Sequence, residues 1–353
     1  MRRLPIYFVI DVSESMVANL PKVDSGLQMI VKELNSDPYA LETVYISLIV
    51  FAGKCRVIKP LTEVYNLSVP SLPLGGGTDY GEAFNCLMKE IDNNIVKSTP
   101  NQKGDWKPII FFFTDGNPTS TSYNSVFKKW KNQYSTKTSV IAISLAAELD
   151  YTILGQITEQ IYLLNKMDEE TVKSFFKWVS ASIQTNSIAV GDNKEYGEEV
   201  MVKSNSDILH KINLKKDSKS EIKNLLTDNS ECKIIIGKCS KTKKRYINLF
   251  IRNETGTYEQ EGCYAVPDEE SYDQLSNESN NQNDHGGIDT SSLEFRDGCN
   301  CPHCNNPLTL SKCGCGKVFC SKKFEGTAKL KCPWCNKTGL YSYGSFSVGT
   351  GLG

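Results

Sequence analysis

The chain starts MRRLPIYFVIDVSES (residues 1–15), and the order of residue types in this stretch decides how the rest is read. Residues 6–10 are an unbroken apolar run, far short of the roughly 18 apolar residues that a membrane span needs. Two arginines ahead of an apolar run imitate a secretory signal. The run is cut by Asp11, however, and no small-residue cleavage site follows, so the reading is a buried strand in a cytosolic protein. Further apolar, β-branched or aromatic runs lie at 44–51, 109–113, 140–145 and 161–164. Between them are helix-like stretches, with Leu27, Ile30, Val31 and Leu34 at helical spacing in the first and Val172, Phe175, Phe176 and Val179 in the last. Strands that are apolar on both faces need cover on both, which implies a mainly parallel sheet between helices. The order βαββαβαβαβα predicts a doubly wound α/β domain over 1–205, with its ligand site at the carboxyl ends of the strands.

Three short motifs fall where such a site would form. Asp11, Ser13 and Ser15 make D-x-S-x-S at the end of the first strand. Gly75, Gly76, Gly77 and Thr78 form a glycine loop ahead of a helix, and Thr114, Asp115 and Gly116 end a core strand. Together they offer two carboxylates and three hydroxyls. Hard oxygens suit Mg²⁺, with Mn²⁺ or Ca²⁺ as alternatives, and two aspartates balance a divalent charge. One coordination position is then open to an acidic group from another molecule. Other readings fit less well. Ser15 or Asp79 alone could be a helix N-cap. GGGTDYG lacks the lysine of a phosphate cradle. A phosphotransferase would want a second carboxylate where Ser13 stands, and no histidine serves Ser13 or Ser15 as a base, so a non-enzymatic role is expected. These three motifs in this order resemble the metal-ion-dependent adhesion site of von Willebrand factor A domains, over about the first 190 residues. The resemblance implies that Ser13, Ser15 and Thr78 coordinate the metal directly or nearly so, Asp11 and Asp115 partly through water, and that a partner protein supplies a Glu or Asp.

After residue 205 the pattern changes. Residues 203–223 are lysine-rich and read as a connector or amphipathic helix, and runs at 232–236 and 246–251 around GKCSKTKKR read as a β-hairpin. That turn is not a P-loop, because its upstream glycine is missing and it joins strand to strand. The stretch 206–266 is therefore a connector and hairpin tied to the C-terminal part. Residues 267–298 carry nine acidic side chains against one arginine and read as an acidic flexible linker or insert.

Eight of the thirteen cysteines lie between Cys299 and Cys335, and 299–353 reads as a zinc module. Cys301-x₂-Cys304 and Cys332-x₂-Cys335 are knuckles that together make a zinc ribbon, with Cys313, Cys315, Cys320 and Cys299 as further ligands. Spacing leaves one ribbon Zn²⁺ or two interleaved Zn²⁺ open, and CGKVFC (315–320) resembles the central portion of treble-clef-like fingers, in which alternate pairs share an ion. His303, inside a knuckle, is expected at an exposed tip, and Cys55 and Cys86 as small buried hydrophobes. About 45 residues with few large apolar side chains need such a staple.

The first domain, the KCSKTKKRY hairpin, GCYAVPDE and the terminal cysteines together resemble TerY-type proteins of tellurium-resistance stress systems. That resemblance moves the start of the second domain back to near Cys232, taking in Cys239, and implies a scaffold beside a serine/threonine kinase and a metal-dependent phosphatase. The net charge of −1 gives no field for nucleic acid or membrane. The alternatives are an Mg²⁺-dependent hydrolase or phosphotransferase, and a nucleic-acid adaptor using the ribbon and the lysines before Arg245.

Overall fold

The computed structural model describes residues 2–101, 103–145, 149–164, 168–191, 208–217, 232–267 and 287–349. The chain divides into two compact units, the first made of residues 1–73 and 77–227 and the second of residues 74–76 and 228–353.

The first unit runs β1 (Leu4–Asp11), α1 (Leu20–Leu34), α2 (Pro38–Thr43), β2 (Val44–Phe51), β3 (Cys55–Glu63), α3 (Tyr80–Asn94), β4 (Ile109–Thr114), α4 (Tyr123–Gln133), β5 (Ser139–Ser144), α5 (Tyr151–Leu154), β6 (Ile161–Leu164), α6 (Glu169–Gly191) and β7 (Leu209–Ile212). The sheet order is β3-β2-β1-β4-β5-β6-β7. The central pairs are parallel, and β3 and β7 are antiparallel at the edges. All eight residues of β1 are buried, as a strand between two helical layers requires. Tyr7, Val9 and Phe112 join Phe84 of α3 and Trp130 of α4 in one core cluster. On the other face the ring of Phe113 packs at 6.0 Å from Phe175 and 6.1 Å from Phe176 of α6. Gly26 of α1 has no room for a side chain, since a Cβ there would fall 2.1 Å from the ring of Phe176. Strand order reverses at β1, whose neighbours β2 and β4 are reached in opposite directions. The crevice of a doubly wound sheet therefore opens beyond Asp11 and Thr114.

The second unit contains β8 (Cys232–Lys238), β9 (Arg245–Arg252), β10 (Tyr258–Ala265), β11 (Ile288–Asp289), β12 (Leu293–Glu294), β13 (Thr309–Lys312), β14 (Val318–Ser321), β15 (Thr327–Lys331), β16 (Thr338–Ser342) and β17 (Ser347–Val348). Six of these strands form a sheet in the order β12-β10-β9-β8-β14-β13, while β11 pairs with β17 and β15 with β16. The apolar centre is small: Ile235, Phe250, Ile288, Leu293, Val318 and Val348.

Two expected boundaries are corrected. The connector expected after residue 205 contains β7, which pairs with β6, so the first unit reaches past it. The acidic stretch expected as a flexible linker or insert over 267–298 ends inside the second unit: Ile288 and Leu293 are buried in its centre, and β12 pairs with β10. Both strands place a single apolar side chain inward between polar neighbours, which composition over 32 residues averages away. Residues 268–286 of that stretch, and 203–207 and 218–223 of the lysine-rich one, lie outside the described residues. No helix among the described residues is long and apolar enough to cross a membrane.

Candidate metal centres

Three segments at the carboxyl edge of the first sheet carry the five expected oxygen-bearing side chains. Asp11, the last residue of β1, is fully buried. Its Oδ1 accepts the Ser13 N–H at 2.9 Å and its Oδ2 accepts the Thr114 hydroxyl at 2.7 Å. Ser15 donates to Oδ1 of Asp115 at 2.6 Å, and the Ser13 and Ser15 oxygens lie 3.1 Å apart. Thr78 arrives from the glycine loop, where Gly77 has φ +73 and so turns the chain in a region that other residues rarely adopt. Its Oγ1 is buried with no hydrogen-bond partner among the described residues. A buried hydroxyl without a partner is costly unless something else binds it. A cation held by these oxygens would satisfy it, so the donor set fits a hard divalent ion.

Neighbouring residues hold this arrangement in place. Thr119 brackets the Thr78 backbone: its N–H and hydroxyl donate to the Thr78 carbonyl at 2.8 and 2.9 Å, and its oxygen accepts the Thr78 N–H at 3.1 Å. Asp79 caps α3 through the Glu82 N–H and takes the Ser120 and Ser122 hydroxyls at 2.7 Å each. Asp79 is thus a cap as well as a tie between two loops. Tyr80 donates to the Gly116 carbonyl at 2.6 Å, fixing the turn that carries Asp115. Burial pushes the Asp11 carboxyl up, to about 6. Burial and then the Asp11 charge push that of Asp115 up further, to about 8, with Glu14 adding to it. Two carboxylates this close are poised to give up a proton to a cation.

The second unit brings eight thiols into two groups of four: Cys239, Cys301, Cys304 and Cys320, and Cys313, Cys315, Cys332 and Cys335. Within each group all Sγ atoms lie within 4.8 Å of one another. Cys304 and Cys320 lie 3.9 Å apart, Cys313 and Cys335 3.6 Å, and Cys315 and Cys332 3.9 Å. A tetrahedral Zn²⁺ with Zn–S near 2.3 Å needs sulfurs about 3.8 Å apart, so the donor type and spacing fit zinc.

The local backbone explains the grouping. Cys301 receives the Asn305 N–H on its carbonyl and donates its own N–H to Asn306, with Asn305 at φ +55. Cys332 does the same with Asn336 (φ +60) and Lys337. Cys239 repeats it with Lys243 (φ +60) and Lys244. The hairpin tip is therefore a third knuckle, C-x-x-T in place of C-x-x-C, with the Thr242 N–H directed to Cys239 Sγ at 3.4 Å. Cys313 makes a tighter turn closed by Lys317 and by Gly316 at φ +83.

Of the two arrangements that spacing leaves open, the grouping is the interleaved one. The knuckles Cys301/Cys304 and Cys332/Cys335 do not share a site; each belongs to a different cluster, and the clusters interleave because Cys320 falls between Cys315 and Cys332. Cys299, expected as a ligand, lies outside both groups, and Cys239 occupies the place it was given. Cys299 stands before its knuckle begins, and its own N–H is turned to the Arg296 carbonyl. His303 is not a free tip: it is half-buried, and its Nε2 sits 2.5 Å from the Arg245 carbonyl. Cys55 and Cys86 are half-buried against the first core. Four thiolates and one Zn²⁺ carry a net −2. Lys238 and Lys317 lie over the Trp334 ring at 4.9 and 5.5 Å and bring positive charge beside the Cys332 knuckle.

The von Willebrand factor type A domain model matches residues 6–178, and that of the TerY-C metal binding domain matches 229–353. No curated protein matches. Similar solved structures include the pilus adhesin SpaC of Lactobacillus rhamnosus GG in its open conformation (15% identity, 53% of this chain and 30% of that one, TM-score 0.43). Another is the PilB minor pilin of Streptococcus sanguinis (13%, 52% and 62%, 0.38). A third is proximal thread matrix protein 1 of the mussel byssus with a zinc occupied MIDAS motif (16%, 51% and 46%, 0.36). The chain spans less than two thirds of the length of each.

Proposed function

From its membership of the TerY-type proteins, a von Willebrand factor type A domain followed by a TerY-C metal binding domain, we propose that the chain is a non-enzymatic scaffold whose first unit docks a partner through Mg²⁺. The observation that carries this reading is the buried, partnerless Thr78 hydroxyl among Asp11, Ser13, Ser15 and Asp115. Five oxygens from one chain leave an octahedral ion short of a ligand, and a Glu or Asp of a partner protein supplies it. The gathered side chains are ligands without a nitrogen base, which supports binding over turnover. The second unit is held by two Zn²⁺ on closed, four-thiolate sites, a structural arrangement. By the TerY resemblance, the partners are a serine/threonine kinase and a metal-dependent phosphatase of a stress response.

The test is capture on the immobilised chain from an extract of the source cells, with Mg²⁺ present or withdrawn by dialysis, because strong chelators would also strip zinc. A kinase or phosphatase retained with Mg²⁺, and lost without it and on Asp11→Ala, is the expected result. Equal retention by a folded Asp11→Ala protein would overturn the reading.

A further inference from the structure

Independently of the cation reading, we propose that the β15–β16 hairpin of the second unit is a docking face for duplex DNA, held through its phosphates without regard to sequence. The two strands pair with each other and, among the described residues, with no third strand. Exposure alternates strictly along both. Leu330 and Tyr341 turn inward and pack against Cys313, Phe319 and Cys332. Thr327, Lys329 and Lys331 of β15 stand opposite Ser342, Leu340 and Thr338 of β16, and all six are exposed. They therefore share one outer face. The strands are joined by the Cys332 knuckle, so a zinc held there sets the hairpin before anything docks on it. Lys337 follows that knuckle, and Lys322 and Lys323 precede β15, all three exposed.

The chemistry of this face selects its occupant. Residues 322–343 carry five lysines against one glutamate, and no arginine. The chain's overall charge of −1 conceals this, but salt screens fields beyond about 8–10 Å, so an approaching polyanion meets the local charge. A phosphorylated or acidic peptide offers a few isolated anions, for which the paired donors of arginine are the usual grip. Lysines are point charges, and Lys329 and Lys331, about 6.8 Å apart along one side of a strand, suit a regular row of phosphates. The hydroxyls of Thr327, Thr338 and Ser342 can donate to phosphate oxygens or base edges, and Leu340, 79% exposed, offers apolar contact to a thymine methyl. A two-stranded ribbon enters the major groove of B-form DNA, about 12 Å wide, whereas that of an RNA helix is too narrow.

Fluorescence anisotropy of a labelled, mixed-sequence duplex of about 20 base pairs, titrated with the full, zinc-loaded chain, tests the proposal. Binding is expected to weaken with salt at a log–log slope of about −3 to −4.5, as three to five lysine–phosphate contacts give. Lys329→Glu/Lys331→Glu is expected to bind at least about tenfold more weakly and to reduce the slope by about 2. The same charge change at Lys128 and Lys129, exposed on α4, is expected to leave both unchanged. No binding by the original protein at about 50 mM salt, or an equal loss in the two double variants, would overturn the proposal. Displacement of the duplex by polyglutamate at equal charge concentration would give the face to an acidic protein and overturn it as well. If Lys329→Glu/Lys331→Glu loses zinc, Lys329→Gln/Lys331→Gln decides: a loss of about threefold or more with a shallower slope supports the docking face, and unchanged binding refutes it. Each of these outcomes leaves the cation reading of the first unit as it stands.

Discussion

Replacing Cys239 by serine is expected to lower the zinc content below two ions per chain and to unfold the second unit, while the first unit keeps its melting transition. The magnitude follows from how little else holds the second unit together. Its apolar centre is six buried side chains, and three of its strands are only two residues long. Structural zinc in small fingers is worth about 10–16 kcal/mol of apparent binding energy at neutral pH. Whole domains have net stabilities of about 5–15 kcal/mol, so the loss of one site exceeds what remains. Cys299→Ser is the matched control and is expected to keep both zincs, since Cys299 belongs to neither cluster. Zinc released to a colorimetric chelator, read beside circular dichroism, checks both variants. Two zincs retained by Cys239→Ser would refute the assignment of that cluster.

The second large effect is expected in the first unit, where on the proposed reading Mg²⁺ and pH act on the same carboxylates. The Asp115 carboxyl is raised from an ordinary value of 3.8 to about 8. A carboxyl raised on folding binds a proton in the native state when the unfolded chain has already lost its own, so stability without cation falls as pH rises from about 4 to about 8. Excess Mg²⁺ removes that loss by pairing with the charge. At about one hundred times its dissociation constant, a native-state ligand adds about 2.7 kcal/mol, which for a unit of this size raises the melting temperature by roughly 5–10 °C. The gain is expected near pH 8 and is nearly absent near pH 5. Asp115→Asn is expected to melt higher than the original protein without Mg²⁺ near pH 8 and to gain nothing from the ion. An Mg²⁺ response that survives in Asp115→Asn would remove that residue from the site.

Much of the first unit was legible because its signals are local and redundant. The run at residues 6–10 followed by D-x-S-x-S sets a strand, its direction and its functional end at once, and GGGT and TDG fall on comparable junctions. The edge strand β7 was not legible: four residues, Leu209 to Ile212, carry two polar residues between two buried apolar ends and no alternation, and only the pairing with β6 defines them. The burial of Glu14 was passed over because a variable position in a motif carries no signal; it accepts the N–H of Gly77, 63 residues away. Thr119 was missed for the same reason, since its contacts are to the Thr78 backbone. In the second unit the thiols were visible and their grouping was not. Cys239 lacks the second cysteine that marks a knuckle, and only the repeated carbonyl and N–H pattern, with Lys243 in the left-handed position of Asn305 and Asn336, reveals it. A C-x-x-T followed by two polar residues, set between strands, was the available hint.

The central claim is that the first unit holds a divalent ion with one coordination position left for another molecule. A crystal of the full chain grown with Mn²⁺ tests it most directly, through the anomalous signal of the ion. The account predicts a peak among Asp11, Ser13, Ser15, Thr78 and Asp115, with water or a neighbouring molecule's carboxylate as its remaining ligand. A crevice without a peak at saturating Mn²⁺, or an ion whose every ligand comes from this chain with Glu14 turned from Gly77 to complete the shell, would contradict it.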